Sequence, residues 1–256
     1  MALTDSLVSY WKLDESSGNA ADSVGSNTLT NNNTVTYEAG KINNAAHFNG
    51  SNQSLSITDA SQSGLDITGA LTIAGWINLD ALPTGAYTFW SIASKWQSSG
   101  NQRSYNLAYY VDGDDSDKRK FFLTIVENGI ADDSELFSTQ QELSTGTWYH
   151  VAGVITPGSP ATGNIYLNGS DVTSGFTDNT AASIHNGTAP FGLGALVGNS
   201  TNFLDGLIDE IGIWSRALSG SEISELYNGG TGLSYPFTGG GGAAQVHSNL
   251  SLLGVG

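Results

Sequence analysis

The chain has 256 residues, of which 39% are hydrophobic and only 12% carry charge, against about 25% charged residues in a typical soluble domain. It contains no cysteine, which excludes a disulfide scaffold and a thiolate metal site. Acidic residues outnumber basic ones 24 to 8 and give a formal net charge of −16. Such a chain repels a phosphate backbone, so we expect no nucleic-acid partner.

The N-terminal segment has no basic region and no apolar run long enough for an export signal or a membrane span. We therefore expect no membrane insertion. The missing export signal favours a product released by lysis, such as a virion protein, over a secreted adhesin.

Short stretches of alternating apolar and polar residues recur along the chain, separated by Gly, Asn and Ser. Alternation with period two predicts half-buried strands, and many short strands predict a sandwich or barrel. The strongest predicted strands, in chain order, are residues 7–13, 34–38, 45–48, 54–57, 71–79, 121–126, 148–155 and 205–218.

Two local motifs have specific geometry. Asn168-Gly169 supplies the two positive-φ positions of a type I′ hairpin turn. Ser219 and Glu222 form a capping box that begins a short helix, and Gly229 is placed to end that helix in left-handed geometry. We expect this helix to cover an open end of the sandwich.

The character of the chain changes near Pro236, which predicts a domain over residues 1–237 and a Gly-rich spacer with a docking tail over 238–256. Val246, Leu250 and Leu252 alternate weakly in that tail. Such a segment can add as a strand to a neighbouring subunit. We therefore expect a homo-oligomer or another assembly partner, docked through these three residues.

Four segments together resemble the laminin-G-like, or concanavalin A-like lectin/glucanase, jelly-roll family. The closing segment FLDGLIDEIGIWSRALSGSEISELYNGG (residues 203–230) resembles its last strand and helix, and residues 7–18, 40–57 and 147–169 match earlier strands in the expected order. The resemblance implies an all-β fold, a two-sheet antiparallel jelly-roll sandwich with one short C-terminal helix. Members include lectins, adhesion modules, viral decorating domains and glycoside hydrolases, so fold alone does not decide function.

Catalysis is not expected. Hydrolases of this architecture carry Glu-x-Asp-x-x-Glu on one strand, and retaining hydrolysis requires two carboxyl groups about 5 Å apart. The sequence has no such motif.

Two acidic groups are candidates for calcium. Residues 112–117 are rich in oxygen donors, although a solvated turn whose charges pair locally is the favoured explanation, because the distal bidentate glutamate of a calcium loop is missing. Alternation over residues 207–214 places Asp209 on one face with Leu207, Ile211 and Ile213, where a carboxylate needs donors or a cation. Arg216 or backbone amides are the ordinary solution, and a structural calcium shared with Asp14 and Asp22 is the alternative.

Aromatic residues give the third signal. Trp90, Trp96, Tyr105 and Tyr109 are candidates for a glycan-binding platform, because flat rings stack on sugars. Core packing is the alternative for each of them.

Three hypotheses follow. The first is a non-catalytic structural subunit displayed on a virion surface, as a capsid decoration or tail fibre, or on another extracellular assembly. The second is a secreted lectin-like adhesion module that binds polysaccharide. The third, a glycoside hydrolase, has the weakest support because the acidic motif is missing.

Overall fold

The computed structural model describes residues 1–113, 118–130 and 134–238. Within these residues, sixteen strands form two antiparallel sheets that pack face to face and enclose one large apolar core. The predicted jelly-roll sandwich is therefore confirmed. The tail residues Val246, Leu250 and Leu252 lie outside the described residues, and their docking stays a prediction.

The strands in chain order are β1 (Leu7–Trp11), β2 (Thr30–Asn32), β3 (Thr36–Ala39), β4 (Asn44–Asn49), β5 (Ser54–Ile57), β6 (Leu71–Leu79), β7 (Phe89–Gln97), β8 (Gln102–Val111), β9 (Arg119–Ile125), β10 (Ser134–Ser138), β11 (Trp148–Thr156), β12 (Thr162–Leu167), β13 (Ser170–Asp171), β14 (Thr173–Asn179), β15 (Phe191–Leu193) and β16 (Asp205–Trp214). The helix α1 spans Gly220–Tyr227, and short 3-10 turns span Asp59–Ser61 and Asn228–Gly230.

We call the two layers sheet A and sheet B. Sheet A runs β13-β12-β11-β6-β16-β4-β3, with β1 also paired to β16, and sheet B runs β14-β10-β9-β8-β7-β15-β5-β2. The predicted alternation decides which side chains enter the core between them. In β6, for example, Leu71, Ile73 and Ile77 point into the core, while Trp76 lies on the outer face against Tyr227.

The hairpin between β12 and β13 has the predicted turn. Asn168 and Gly169 have φ of 50° and 76°, as a type I′ turn requires. This turn sets the register in which Leu167 pairs with Ser170.

A bulge in β16 corrects the predicted face of Asp209. The register against β6 shifts between Asp209 and Gly212, and Glu210 takes a left-handed conformation with φ of 51°. Ile211 and Ile213 therefore point into the core, while Asp209 points to the outer face of sheet A, opposite Trp76 in the ladder. The extra residue breaks the period of two on which the prediction rested.

Helix α1 and the segment after it cover the outer face of sheet A, rather than an open end of the sandwich. Ile223 and Leu226 of the helix pack with Ala152 and Trp214 in a second apolar cluster. The first left-handed residue after the helix is Asn228, with φ of 48°, and Gly229 follows with φ of 61°. One face of the sandwich is thereby closed.

The capping box begins the helix as predicted. The amide of Glu222 donates to Ser219 Oγ at 3.3 Å, and the amide of Ser219 donates to Glu222 Oε2 at 2.8 Å. We expect Ser219→Ala to lower the free energy of unfolding by about 1 kcal/mol, because one helix amide loses its acceptor. Urea denaturation measures this, with exposed Glu225→Ala as the control that should change stability by less than about 0.5 kcal/mol. Equal effects of the two substitutions would contradict the capping role.

One lysine is fully buried at the edge of the core. Lys95 of β7 is 1% exposed, and its Nζ lies 2.7 Å from Asp59 Oδ1 and 3.1 Å from Asp66 Oδ1. Nζ also donates to the carbonyl oxygens of Gly187 and Ala189. Four oxygens from three separate segments therefore surround one ammonium group.

Candidate functional site

The outer face of sheet B carries a cavity lined by aromatic and polar side chains. Alternation along β8 sends Tyr105, Leu107 and Tyr109 into the core and leaves Asn106 and Tyr110 on the outer face. The cavity has a volume of about 200 Å³. Its lining residues are Tyr87, Phe89, Trp96, Asn106, Tyr110, Phe122, Thr124, Glu135 and Phe137.

Four of the aromatic rings that line the cavity pack against one another. Phe122 lies at the centre and meets Phe89 and Tyr110 edge to face, at centroid distances of 5.4 and 5.7 Å. Phe137 is 6.0 Å from both Phe122 and Tyr110. Tyr87, which is 66% exposed, lies in the preceding loop and also lines the cavity. These rings present apolar surface that a second flat group can contact.

Next to these rings, one outward-facing position further along the strands, the cavity is lined by polar residues, which we call its floor. Thr124 of β9 pairs with Asn106 of β8 on one side and with Glu135 of β10 on the other. Asn106 Oδ1 accepts from Ser91 Oγ at 2.8 Å, and Glu135 Oε2 accepts from Thr177 Oγ1 at 2.9 Å. Thr124 is 1% exposed, and its Oγ1 has no hydrogen-bond partner among the described residues. A buried hydroxyl without a partner costs about 1–3 kcal/mol. The same is true of Ser104 Oγ and Asn78 Oδ1, which do not line this cavity.

The four residues of the predicted aromatic platform do not lie on one surface. Trp96 lines the cavity, and its ring also packs on Val126 and Leu196. Trp90 is half-buried and packs against the main core instead. Tyr105 and Tyr109 have no exposed surface, so their predicted place on a glycan-binding platform is wrong. Each lies two residues from the core residue Leu107 and therefore points to the same face of β8.

The sequence contained a signal for the residues that the platform prediction missed. Tyr105 and Tyr109 belong to the core, where their hydroxyl groups donate to the carbonyl oxygens of Leu65 and Gln141. Asn106 and Tyr110 lie one and three residues from Leu107, so alternation places both on the opposite face of β8. The same alternation along β9 selects Phe122 and Thr124.

Three other depressions are larger than this cavity. One, of about 450 Å³, is lined by Asn32 and its neighbours, and a second, of about 480 Å³, by Asn31 and its neighbours. The third, of about 290 Å³, lies between the first residues of the chain and Phe237. The carboxamide of Asn32 is hydrogen-bonded to Ser54 and Ser56, and that of Asn31 to nearby backbone. These amides stabilise their own loops, so the aromatic cavity is the stronger candidate for a binding site.

Two adjacent carboxyl groups are buried beneath the outer cover of sheet A. Burial raises the pKa of Asp209 to about 8, although the Ile42 amide, which donates to Asp209 Oδ2 at 2.9 Å, opposes that shift. Burial also raises the pKa of Glu210 to about 7. Asp209 Oδ1 has no hydrogen-bond partner among the described residues, whereas the hydroxyl groups of Tyr10 and Ser234 lie close to Glu210 and partly oppose the rise of its pKa. The sequence predicted that either Arg216 or backbone amides would bind the Asp209 carboxylate. A backbone amide does so, that of Ile42, while Arg216 pairs with Glu222.

The three aspartates predicted to share calcium do not fit a common ion. Asp22 accepts from the amides of Tyr10, Val24 and Asn27, which occupy both of its carboxylate oxygens. Asp14 accepts from the amide of Asn44 at 3.2 Å. Within the described residues, no three acidic or histidine side chains come together as metal ligands.

The other predicted calcium site is the acidic turn of residues 112–117. Only its first two residues are described, and there Asp112 pairs with Lys120 at 2.6 Å. The rest of this turn lies outside the described residues. Calcium at that turn therefore stays a prediction.

These features define a two-sheet antiparallel sandwich with one covered face and one open face that carries an aromatic cavity. The chain belongs to the concanavalin A-like lectin/glucanase superfamily, whose laminin-G-type family model matches residues 49–224. Among curated protein sequences, none matches this chain significantly. No helix in the described part of the chain is both long and apolar enough to cross a membrane.

Solved structures with a similar fold include binding domains and domains of glycoside hydrolases. Domain 4 of an extracellular arabinanase of glycoside hydrolase family 43 from Geobacillus stearothermophilus, in complex with arabinotriose, is 22% identical with a TM-score of 0.56, over 85% of this chain and 96% of that one. The binding domain of paraclostridial mosquitocidal protein 1 is 15% identical with a TM-score of 0.61, over 89% of this chain and 53% of that one.

A third similar structure is an enzyme, and this chain spans only part of its length. Trypanosoma rangeli sialidase, in complex with the inhibitor DANA, is 16% identical with a TM-score of 0.59, and the match covers 86% of this chain but only 32% of the sialidase. At these identities the likeness establishes the fold. It leaves the ligand to be argued from this chain's own residues.

Proposed function

We propose that this domain is a non-catalytic carbohydrate-binding module, and that the aromatic cavity of sheet B is its binding site. The observation that carries the proposal is the pairing of aromatic rings with the polar side chains of Asn106, Thr124 and Glu135 in one cavity. A sugar ring has C–H faces that pack on aromatic rings and hydroxyl groups that bond to polar side chains. The arabinotriose complex of a similar fold is consistent with this class of ligand.

The charges in the cavity support binding over hydrolysis. Retaining glycosidases need two carboxyl groups about 5–5.5 Å apart, and inverting enzymes need two about 6.5–9.5 Å apart. Among the described residues that line the cavity, Glu135 is the one carboxylate. We therefore expect a bound glycan to be released unchanged.

We expect Tyr87→Ala and Tyr110→Ala each to weaken glycan binding at least about tenfold, because each removes a ring from the cavity wall. A glycan array identifies the ligand, and calorimetric titration measures the dissociation constants. Ile130→Ala is the matched control, because Ile130 is 57% exposed and does not line the cavity. Release of reducing sugar from the bound glycan would contradict the non-catalytic role, and equal effects at position 130 would contradict the site.

Display of the domain on a virion or another extracellular assembly, and homo-oligomer formation through the tail, stay predictions from the sequence. The docking residues Val246, Leu250 and Leu252 lie outside the described residues. Electron microscopy of the native source would test display directly, and light scattering of the chain with and without residues 239–256 would test assembly.

A further inference from the structure

We infer that the four oxygens around Lys95 form a cation-binding site, which the native chain fills with its own ammonium group and which binds calcium when that group is removed. None of the residues concerned lines the aromatic cavity, so the inference is independent of the proposed function. Four features carry it, namely the convergence of the oxygens, the scaffold that holds them, their charge and their access to water.

The oxygens converge on one point from three separate parts of the chain. Asp59 lies in the 3-10 turn after β5, Asp66 lies in the loop before β6, and Gly187 and Ala189 lie between β14 and β15. All four oxygens are within 3.1 Å of Lys95 Nζ. Calcium takes carboxylate and carbonyl oxygens at about 2.3–2.6 Å, so an inward movement of about 0.5 Å brings the most distant oxygen into its range.

The strand ladder holds these segments together without the lysine side chain. β15 pairs with β5 on one side and with β7 on the other, and Phe191 of β15 lies opposite Lys95 itself. Asp59 comes directly after β5, and Asp66 follows Leu65, which is fully buried in the core. Because backbone pairing and core packing fix these segments, removal of the ammonium group leaves the oxygens near their native positions.

The charge at the site favours a divalent cation. Two carboxylates face one ammonium group, which leaves a formal charge of −1. Among the described residues, neither Asp59 nor Asp66 has a second basic partner. Without the lysine, two negative charges would remain beside each other with no cation. Calcium carries two positive charges and would balance both carboxylates.

Water can complete the coordination of the ion. Calcium takes about six to eight oxygen ligands, of which the protein would supply four. The side chains of Asp59 and Asp66 are 25% and 34% exposed, whereas Lys95 is 1% exposed. Solvent therefore reaches the carboxylates from outside and supplies the remaining ligands once the lysine is gone. Magnesium fits less well, because it needs near-octahedral ligands at about 2.0–2.1 Å.

Lys95→Ala tests the inference in the full chain. Thermal unfolding is followed by circular dichroism in EDTA, in calcium chloride and in magnesium chloride. At about 10 mM calcium we expect the melting temperature of the variant to rise at least about 3 °C more than that of the parent, as mass action requires for a dissociation constant of about 1 mM. Magnesium should raise it by less than about half as much. The parent is the matched control, because calcium bound elsewhere, for example at the acidic turn of residues 112–117, would raise both melting temperatures equally.

A double variant identifies the ligands. Lys95→Ala combined with Asp66→Asn removes one carboxylate charge, so it should lose most of the calcium response of Lys95→Ala. If Lys95→Ala is unfolded without metal, recovery of the native circular dichroism spectrum on addition of calcium would support the inference in the same way.

Two results would overturn the inference. One is a folded Lys95→Ala variant whose calcium response equals that of the parent. The other is a double variant that responds as strongly as Lys95→Ala, because the metal would then bind without the Asp66 carboxylate. If Lys95→Ala stays unfolded in calcium, Lys95→Gln decides, since its amide keeps a donor for the four oxygens and its own oxygen can bind the ion. Absence of a calcium response in folded Lys95→Gln would equally overturn the site.

Discussion

Lys95→Met is expected to lower the free energy of unfolding by about 3 kcal/mol. Removing one partner of a buried ion pair costs about 3–5 kcal/mol, because the remaining groups stay desolvated and unpaired. Here the substitution leaves two carboxylates and two carbonyl oxygens without their shared donor. The lower end of the range applies, since the side chains of Asp59 and Asp66 are 25% and 34% exposed and can recover water.

Urea denaturation at pH 7 measures this effect. The matched control is Lys120→Met, which removes a lysine from a pair whose lysine is 26% exposed. Exposed pairs contribute about 0–1 kcal/mol, so the control should change stability far less. A loss at position 95 no larger than at position 120 would show that the four oxygens find water or other donors when the ammonium is absent.

The second large effect is a loss of stability as the pH rises from about 4.5 to 8. The pKa of Glu210 is about 7 in the native state, against 4.5 for an unperturbed glutamate. Ionisation is therefore harder in the native protein than in the unfolded chain, so the stabilisation is full below about pH 4.5 and is lost as the pH passes 7. For Glu210 alone the loss amounts to about 3 kcal/mol. Asp209, with a pKa of about 8, acts in the same direction.

Glu210→Gln removes the ionisable group and keeps its size. We expect the variant to be more stable than the parent at pH 8, by up to about 3 kcal/mol, and similar to it at pH 4.5. Urea denaturation across pH 4.5–8.5 gives both values. A parent whose stability rises through this interval would show that Glu210 finds a cation or hydrogen-bond donors when it ionises.

Glu222 provides a control, because its pKa is shifted in the opposite direction to that of Glu210. Burial alone would raise its pKa, but hydrogen bonds from Arg216 and Ser219 outweigh that effect and lower it to about 2. Its contribution to stability is present above about pH 4.5 and is lost as the pH falls towards 2. Glu222→Gln should therefore lower stability at neutral pH and leave the slope between pH 4.5 and 8 unchanged.

Alternation and turn chemistry predicted most of the fold, because both are local. Strands β5 and β6 and the turn at Asn168-Gly169 occur where the pattern placed them. The bulge at Glu210 was not predictable, since one extra residue in an alternating run has no local sequence signature. Its effect was to move Asp209 to the other face of sheet A.

The candidate site was predicted only in part. Trp96 was identified from its ring, whereas the floor residues Asn106 and Thr124 resemble any other polar residues of a strand. They become a site because three strands place them side by side. The environment of Lys95 was equally hidden, because its partners lie at positions 59, 66, 187 and 189, far away in the chain.

The two ends of the described domain lie together on the covered side of sheet A. Trp214 Nε1 donates to the carbonyl oxygen of Leu3 at 2.6 Å, and Phe237 stacks on the same indole. The aromatic cavity opens on the opposite side of the sandwich. Anything tethered at residue 1 or 238 would therefore attach on the covered side of the sandwich, and the aromatic cavity would face away from it.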